Sequence, residues 1–404
     1  MIPVFMFRRI PMMCIQKYEH TIYASYIGYI TQAIVNNFVP LLFLTFASDM
    51  QLTLDKITLI TTVNFAVQLL VDLLAAGFVD KIGYRASVVS AHIFAAAGLL
   101  GLSVFPAFFP SQYTGLMTAV ILYAIGGGII EVVISPIVEA YPTEKKEAAM
   151  SLLHSFYCWG HVAVVLLSTL FFISFGIENW RILSCLWAVV PLLNCFYFLI
   201  VPLYPIAAGH EKMSLKGLFR QKIFWLLMLL MVCAGASEQA MSQWASAFAE
   251  SALNVSKTMG DLAGPCTFAV LMGTARALYG KYGDKIPLRY AMAGSALLCV
   301  TCYLITVFAG SPLFGLIGCA ACGFTVGIFW PGTFSMAAAA LPAAGTAMYA
   351  FMALAGDVGC SAGPTVVGLI AAAQRDDLKA GIAAAIVFPI IILIGIQFLR
   401  KKKS

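Results

Sequence analysis

The feature that most limits how this chain can fold is a succession of apolar runs, each about as long as the hydrocarbon core of a bilayer is thick. A helix crossing that core needs about 20 predominantly apolar residues. Such runs fall at 20–47, 56–78, 86–106, 113–139, 148–174, 181–203, 222–249, 260–279, 289–309, 312–335, 344–371 and 379–399. The stretch 312–355 carries no charge and is about twice as long as one crossing requires. Leu341-Pro342-Ala343-Ala344-Gly345 supplies the break within it. Composition agrees: 61% of residues are hydrophobic and only 10% charged, whereas a soluble domain is roughly a quarter charged. Too little polar surface remains to face water. This excludes a disordered chain, a disulfide scaffold and a soluble enzyme, and predicts an all-α polytopic membrane protein of twelve transmembrane helices in the lipid bilayer.

The net charge of +6 resides in short clusters between the runs: Lys81/Arg85, Lys145/Lys146, Lys212 to Lys222, Arg276 to Arg289, and Arg400 to Lys403. That distribution marks cytoplasmic loops. With both termini cytoplasmic, 19 of the 24 Lys and Arg lie inside, and only Lys56, Arg181, Lys257, Arg375 and Lys379 lie outside. The loop near Pro342 is an inner loop without a basic residue. The expected location is the plasma membrane, which is the inner membrane in a bacterium. Residues 1–19, with Arg8, Arg9 and Lys17, read as a cytoplasmic tail, because the apolar stretch before Arg8 is too short for a signal-peptide core. No basic stripe with interleaved aromatics occurs, so no nucleic-acid partner is expected.

Cys299-x-x-Cys302 and Cys319-x-x-Cys322 have the spacing of a zinc ribbon. Their flanks are apolar and lack turn residues, so the thiols read as small hydrophobes within membrane helices and no metal is expected. HExxH, phosphate-loop, nucleophile-elbow and haem motifs are all missing. Neither an enzyme nor a cofactor is expected.

The polar stretch 204–221 reads as a cytoplasmic linker between six-helix bundles at 20–203 and 222–399, with 400–404 as a basic tail. A loop motif recurs across it. Asp80-Lys81-Ile82-Gly83-Tyr84-Arg85 follows the second run, and Gly280-Lys281-Tyr282-Gly283-Asp284-Lys285 follows the eighth, 200 residues later. Parallel six-helix repeats about a midplane site are a transporter arrangement. These loops resemble the signature of the major facilitator superfamily, Gly-x-x-x-Asp-Arg/Lys-x-Gly-Arg/Lys-Arg/Lys. Asp80, Lys81, Gly83 and Arg85 match it; Ala76 takes the first glycine position with Gly77 beside it, and Tyr84 replaces a basic residue. In the second copy Lys281, Gly283 and Lys285 match, and Gly280 holds the acidic position. The resemblance implies that Asp80, Lys81, Gly83 and Arg85 form a conformational latch, and that the two halves rock about a central site.

Two further segments are similar to the fucose–proton symporter branch of that family: Gly126-Gly-Gly-Ile-Ile-Glu131-Val-Val-Ile-Ser135-Pro136, and Met150-Ser-Leu-Leu-His154-Ser-Phe-Tyr157-Cys-Trp-Gly160. That branch has Gly-x-Gly-x-x-Glu-x-x-x-Asn-Pro, and its glutamate takes part in proton coupling, a role the resemblance carries to Glu131. It also places His154 at a polar binding position. The branch's first-helix aspartate falls near Asn36-Asn37, where this chain has amides.

An acid at the centre of a membrane helix costs about 2.5–3.5 kcal/mol on insertion scales. Asp72, Glu131, Glu238 and Asp357 therefore each need a reason. Glu131, Glu238 and Asp357 are the candidates for proton coupling, Glu131 first, against the alternative that each is a structural acid bonded to a neighbouring helix. Glu238, Gln239, Ser242 and Gln243 occupy adjacent faces of the seventh helix. Amides of this kind suit a hydroxylated solute, and an aromatic such as Trp330 suits the C–H face of its ring. Interhelical bonding is the competing reading. Thr61, Asn64, Gln68 and Asp72 form a stripe along the second helix. Asn64 and Gln68 are read as solute-binding and Asp72 as gating. Gln32, Asn36 and Asn37, and His154 and Tyr157, complete the expected binding set. Arg276, read as the end of the eighth helix at the membrane face, is expected to latch or to snorkel.

The expected function is proton-coupled symport of a small polar, sugar-like solute by a monomer, with sodium as the alternative ion. Efflux of amphiphiles in exchange for protons is the runner-up, and a sensor that binds a solute without moving it is a lesser alternative.

Overall fold

The computed structural model describes residues 19–140, 146–204, 213, 215–282, 286–341 and 344–399, and among them there is helix and no strand. The expected terminal tails, the Pro342 break, the Gly283–Lys285 part of the second loop motif and the side chain of Asp80 lie outside the described residues. The twelve crossings are α1 (Glu19–Asp49), α2 (Leu54–Ile82), α3 (Tyr84–Phe108), α4 (Gln112–Glu139), α5 (Lys146–Phe175), α6 (Trp180–Ile200), α7 (Lys222–Ser242 and Ala245–Leu253), α8 (Lys257–Asp261 and Thr267–Tyr282), α9 (Leu288–Phe308), α10 (Pro312–Ala340), α11 (Gly345–Ala373) and α12 (Leu378–Phe398). Eleven of these contain a stretch long and apolar enough to cross a membrane. The twelfth, α8, carries Lys257, Asp261, Arg276 and Lys281 and is interrupted by a π turn at Leu262–Cys266. It begins at Lys257, three residues earlier than the sequence suggests. Within the expected linker, Leu215–Phe219 forms a short helix.

Several crossings are broken. In α1 a 3-10 turn at Val39–Leu42 follows Asn37. The second parts of α7 and α10 start at Ala245 and Phe329. Proline accounts for two of these interruptions directly: Pro40 sits in the 3-10 turn and Pro331 just past the α10 break, and each removes one helical donor. Gly83, between α2 and α3, has φ +85°, a backbone that L side chains rarely adopt. The glycine of the first loop motif is therefore required by the turn itself.

The described residues fall into two compact units. One takes in those up to Val35, Leu70–Gly160, and Arg181 to Tyr204; the other takes in Asn36–Leu69, His161–Trp180 and those from Met213 on. The last part of α1, the first part of α2 and the last part of α5 thus group with the second half of the chain.

In the first unit, α3 and α4 meet through glycine. A Cβ on Gly98 would stand 2.3 Å from the Tyr123 amide nitrogen, and one on Gly126 would stand 2.5 Å from that of Ala95. Small residues let backbones approach where lipid gives no hydrophobic drive for helices to associate. His92, fully buried on α3, accepts at Nε2 from Asn194 (2.8 Å) while its Nδ1 donates to the Val88 carbonyl (2.7 Å). Asn194 also donates to the Ala24 carbonyl (3.0 Å), tying α1, α3 and α6. On α6, Ile182, Leu186, Val189, Leu193 and Phe196 recur at helical spacing and stay 44–63% exposed, a stripe that lipid would cover. In the second unit, α7 and α11 pack in the same manner as α3 and α4: a Cβ on Gly359 would lie 1.9 Å from the Val232 carbonyl oxygen, and one on Gly363 would lie 2.5 Å from that of Ala236. Gly126→Leu must push α3 from α4, and overpacking of this kind costs about 1–3 kcal/mol. Thermal unfolding in detergent should show a lower midpoint for this variant; an unchanged midpoint would contradict the packing described.

Candidate functional site

Two groups of polar side chains stand inside the helices, one in each unit. In the first unit, Gln32 Nε2 on α1 donates to Glu131 Oε2 on α4 at 3.1 Å. A carboxylate oxygen of Asp72 on α2 lies within 4.8 Å of one of Glu131. One turn along α4, Ser135 shares a 2.9 Å hydrogen bond with the hydroxyl of Tyr29. The Tyr29 ring meets His154 of α5 edge-on at 5.3 Å, and Tyr26 stacks on Phe156 at 4.1 Å. Helical spacing explains the grouping. Tyr29 and Gln32 are three apart on α1, and Glu131 and Ser135 four apart on α4, so each pair presents one face.

In the second unit the group forms around the helix breaks. Asn36 Oδ1 accepts from Asn64 Nδ2 (3.2 Å) and Gln68 Nε2 (2.9 Å), and Gln68 also donates to Asn64 Oδ1 (3.0 Å). Gln243 Nε2 donates to the Asn36 backbone carbonyl (3.0 Å) and to Gln239 Oε1 (3.1 Å), and Gln239 donates to Glu238 (3.3 Å). Asn36 lies four residues before Pro40, whose missing N–H would have paired that carbonyl; Gln243 supplies the donor instead. The same device recurs in α10. Gly327 lies four residues before Pro331, and its carbonyl accepts from Arg276 Nε at 3.2 Å. Arg276 Nη2 also pairs with Glu238 at 3.5 Å, both side chains being largely buried.

Arg276 does not end its helix, as the sequence suggests: the helix continues to Tyr282, more than a turn further. Its largely buried side chain serves an acid and an orphaned carbonyl. Asp72, expected to gate, stands beside Glu131. Asn36, Asn64, Gln68, Glu238, Gln239 and Gln243 are brought together, Ser242 is buried on the same helix, and Asn37 is buried on α1. Trp330 lies against Gly356, where a Cβ would come within 2.2 Å of its ring, and Asp357 is the next residue of α11. Glu131 and Tyr157 are half-buried, and His154 is exposed. At the first loop motif, Lys81 is exposed, and Arg85 Nη1 donates to the Phe198 and Leu199 carbonyls at 2.7 and 3.0 Å, covering the end of α6.

The sequence reading missed Tyr29 and Ser135, although each lies within a turn of a residue it chose. It also missed a charged group around Asp261, which is fully buried. Lys257 Nζ lies 3.2 Å from the Asp261 carboxylate and 3.4 Å from Glu250, and Ser246 and Thr169 both donate to Asp261. The i,i+4 spacing of Lys257 and Asp261 was the available signal.

Residues 25–364 match the Major Facilitator Superfamily. Among solved structures, a variant of the E. coli fucose:proton symporter is 16% identical with TM-score 0.66, over 96% of this chain and 100% of that one. A D-xylose-proton symporter is 13% identical with TM-score 0.72, over 95% of this chain and 96% of that one. A bacterial homologue of the human lysosomal transporter Spinster, in an inward-facing and occupied conformation, is 13% identical with TM-score 0.70, over 94% and 96%. No curated protein sequence matches the chain. The chain belongs to the major facilitator superfamily. It is a multi-pass membrane transporter and not an enzyme, and it has the twelve-helix fold of that family.

Arg276→Met would leave Glu238 buried without its cation and the Gly327 carbonyl without its donor. Removing one partner of a buried ion pair costs about 3–5 kcal/mol. The double variant Arg276→Met/Glu238→Gln should recover part of that loss, as a double-mutant cycle of thermal unfolding would show. A zero coupling energy would contradict the pairing.

Proposed function

We propose that the chain is a proton-coupled symporter of a small polar, sugar-like solute, with Glu131 and Asp72 as its proton-carrying pair. It works by alternating access of the 20–203 and 222–399 bundles, in a plasma membrane with both termini cytoplasmic. The observation that carries this reading is the approach of the two carboxylates to within 4.8 Å. Two unit charges at that distance repel by about 3–4 kcal/mol at an effective dielectric near 20. Sharing a proton removes that repulsion, so the pair is suited to hold one proton and release it when its surroundings change. Gln32 donates to one Glu131 oxygen and thereby holds the carboxyl in a fixed orientation. The first-helix aspartate of the fucose–proton symporter branch has amides in its place here; Asp72 supplies the second acid from α2 instead.

The solute reading draws on the side-chain amides. Asn36, Asn64, Gln68, Gln239 and Gln243 bond to one another, and such bonds can be exchanged for bonds to hydroxyl groups with little net change. Trp330, lying on Gly356, offers a flat apolar face of the sort a sugar ring covers. Two of the solved structures similar in fold are of sugar–proton symporters. Glu238, paired with Arg276, is assigned to holding the α8 and α10 segments in place.

The test is proton movement in proteoliposomes with an enclosed pH dye, challenged with sugars, polyols and amphiphilic cations. A sugar or polyol should drive proton flux in the wild type, and Glu131→Gln should abolish it while solute exchange continues. Flux driven only by amphiphilic cations would replace symport with efflux. Solute movement that responds to sodium and never to protons would overturn the role of the pair.

A further inference from the structure

The charged group around Asp261 lies where α1 breaks, α5 ends, and α7 turns into α8. The fully buried Asp261 carboxylate receives bonds from three helices: Ser246 of α7, Thr169 of α5 at 3.3 Å, and Lys257 of α8 at 3.2 Å. Lys257 in turn donates to the Leu41 carbonyl of α1 at 2.6 Å and stands 5.8 Å over the Phe172 ring of α5. Helices α1 and α5 come from the first half of the chain, and α7 and α8 from the second.

We propose that Lys257 and Asp261 form a releasable latch that closes this end of the transporter by fastening α8 to α1 and α5. This rests on the alternating-access part of the function proposed above. The arrangement suits release. Lys257 and Asp261 are four apart on one helix, so each neutralises the other whether or not the latch is engaged. Glu250 and Ser246, which also meet the pair, sit on α7 and stay with it. Within this charged group, opening gives up only the bonds to the Leu41 carbonyl and to Thr169, together with the approach to Phe172. No buried charge is left alone. An ion pair split between the halves would strand an uncompensated charge at each opening and make release far harder.

Hydrogen exchange of the protein in nanodiscs tests this without solute or a proton gradient, so failure of proton coupling would leave the result interpretable. The variant Lys257→Met/Asp261→Asn removes both charges together, and Thr169→Val is a milder second variant. The latch predicts exchange roughly tenfold faster in residues 37–49 and 246–261, a population shift of about one decade. It also predicts slower exchange at the opposite end, in residues 83–90 and 276–282, because opening one side closes the other. Thr169→Val should move both ends in the same directions by less. Faster exchange at the latch end alone would reduce the group to local packing and overturn the proposal. Unchanged exchange at both ends would overturn it as well.

Discussion

A backbone carbonyl in hydrocarbon has no water to bond, so each one freed by a break in a helix must find a donor within the protein. This requirement organises much of the polar interior. Pro40 and Pro331 interrupt α1 and α10, and each orphans the carbonyl four residues earlier. Gln243 reaches the Asn36 carbonyl and Arg276 reaches that of Gly327. Once these donors are inside, their remaining hydrogen-bonding capacity needs partners too. Gln239 accepts from Gln243 and Glu238 pairs with Arg276, while the Asn36 side chain accepts from Asn64 and Gln68. A helix break that bends the chain thus also gathers a cluster able to bind polar groups.

Charge follows the same economy. Among the described residues, the ion pairs of the interior acids draw their cations from α8: Arg276 for the buried Glu238, and Lys257 for the buried Asp261 and the half-buried Glu250. That concentration of charge is why α8 fails a simple hydropathy criterion although it completes the fold. Beside Glu131 stand an amide and a second carboxylate.

Most of the architecture was legible in the sequence because crossing a bilayer takes a fixed length of apolar residues. The lengths of the runs and the recurrence of the loop motif at Asp80–Arg85 could be read from composition and spacing. The helical stripe Asn64–Gln68–Asp72 and its division could be read too, but the partners of each part could not. Asn64 and Gln68 join Asn36, and Asp72 joins Glu131, because partners on other helices decide what each turn of a stripe meets. Arg276 was misplaced for a related reason: its partners, Glu238 and Gly327, are 38 and 51 residues away. Lys257 read as one of five outer charges, since nothing local distinguishes a loop lysine from one that reaches a buried aspartate.

The central claim is that Glu131 and Asp72 share a transferable proton. Infrared difference spectroscopy of the reconstituted protein, with a carboxylic-acid C=O band followed as pH is raised, reads that proton directly. The account predicts one such band that disappears on deprotonation, is missing from Glu131→Gln, and is shifted in Asp72→Asn. A band that persists unchanged in Glu131→Gln would contradict it.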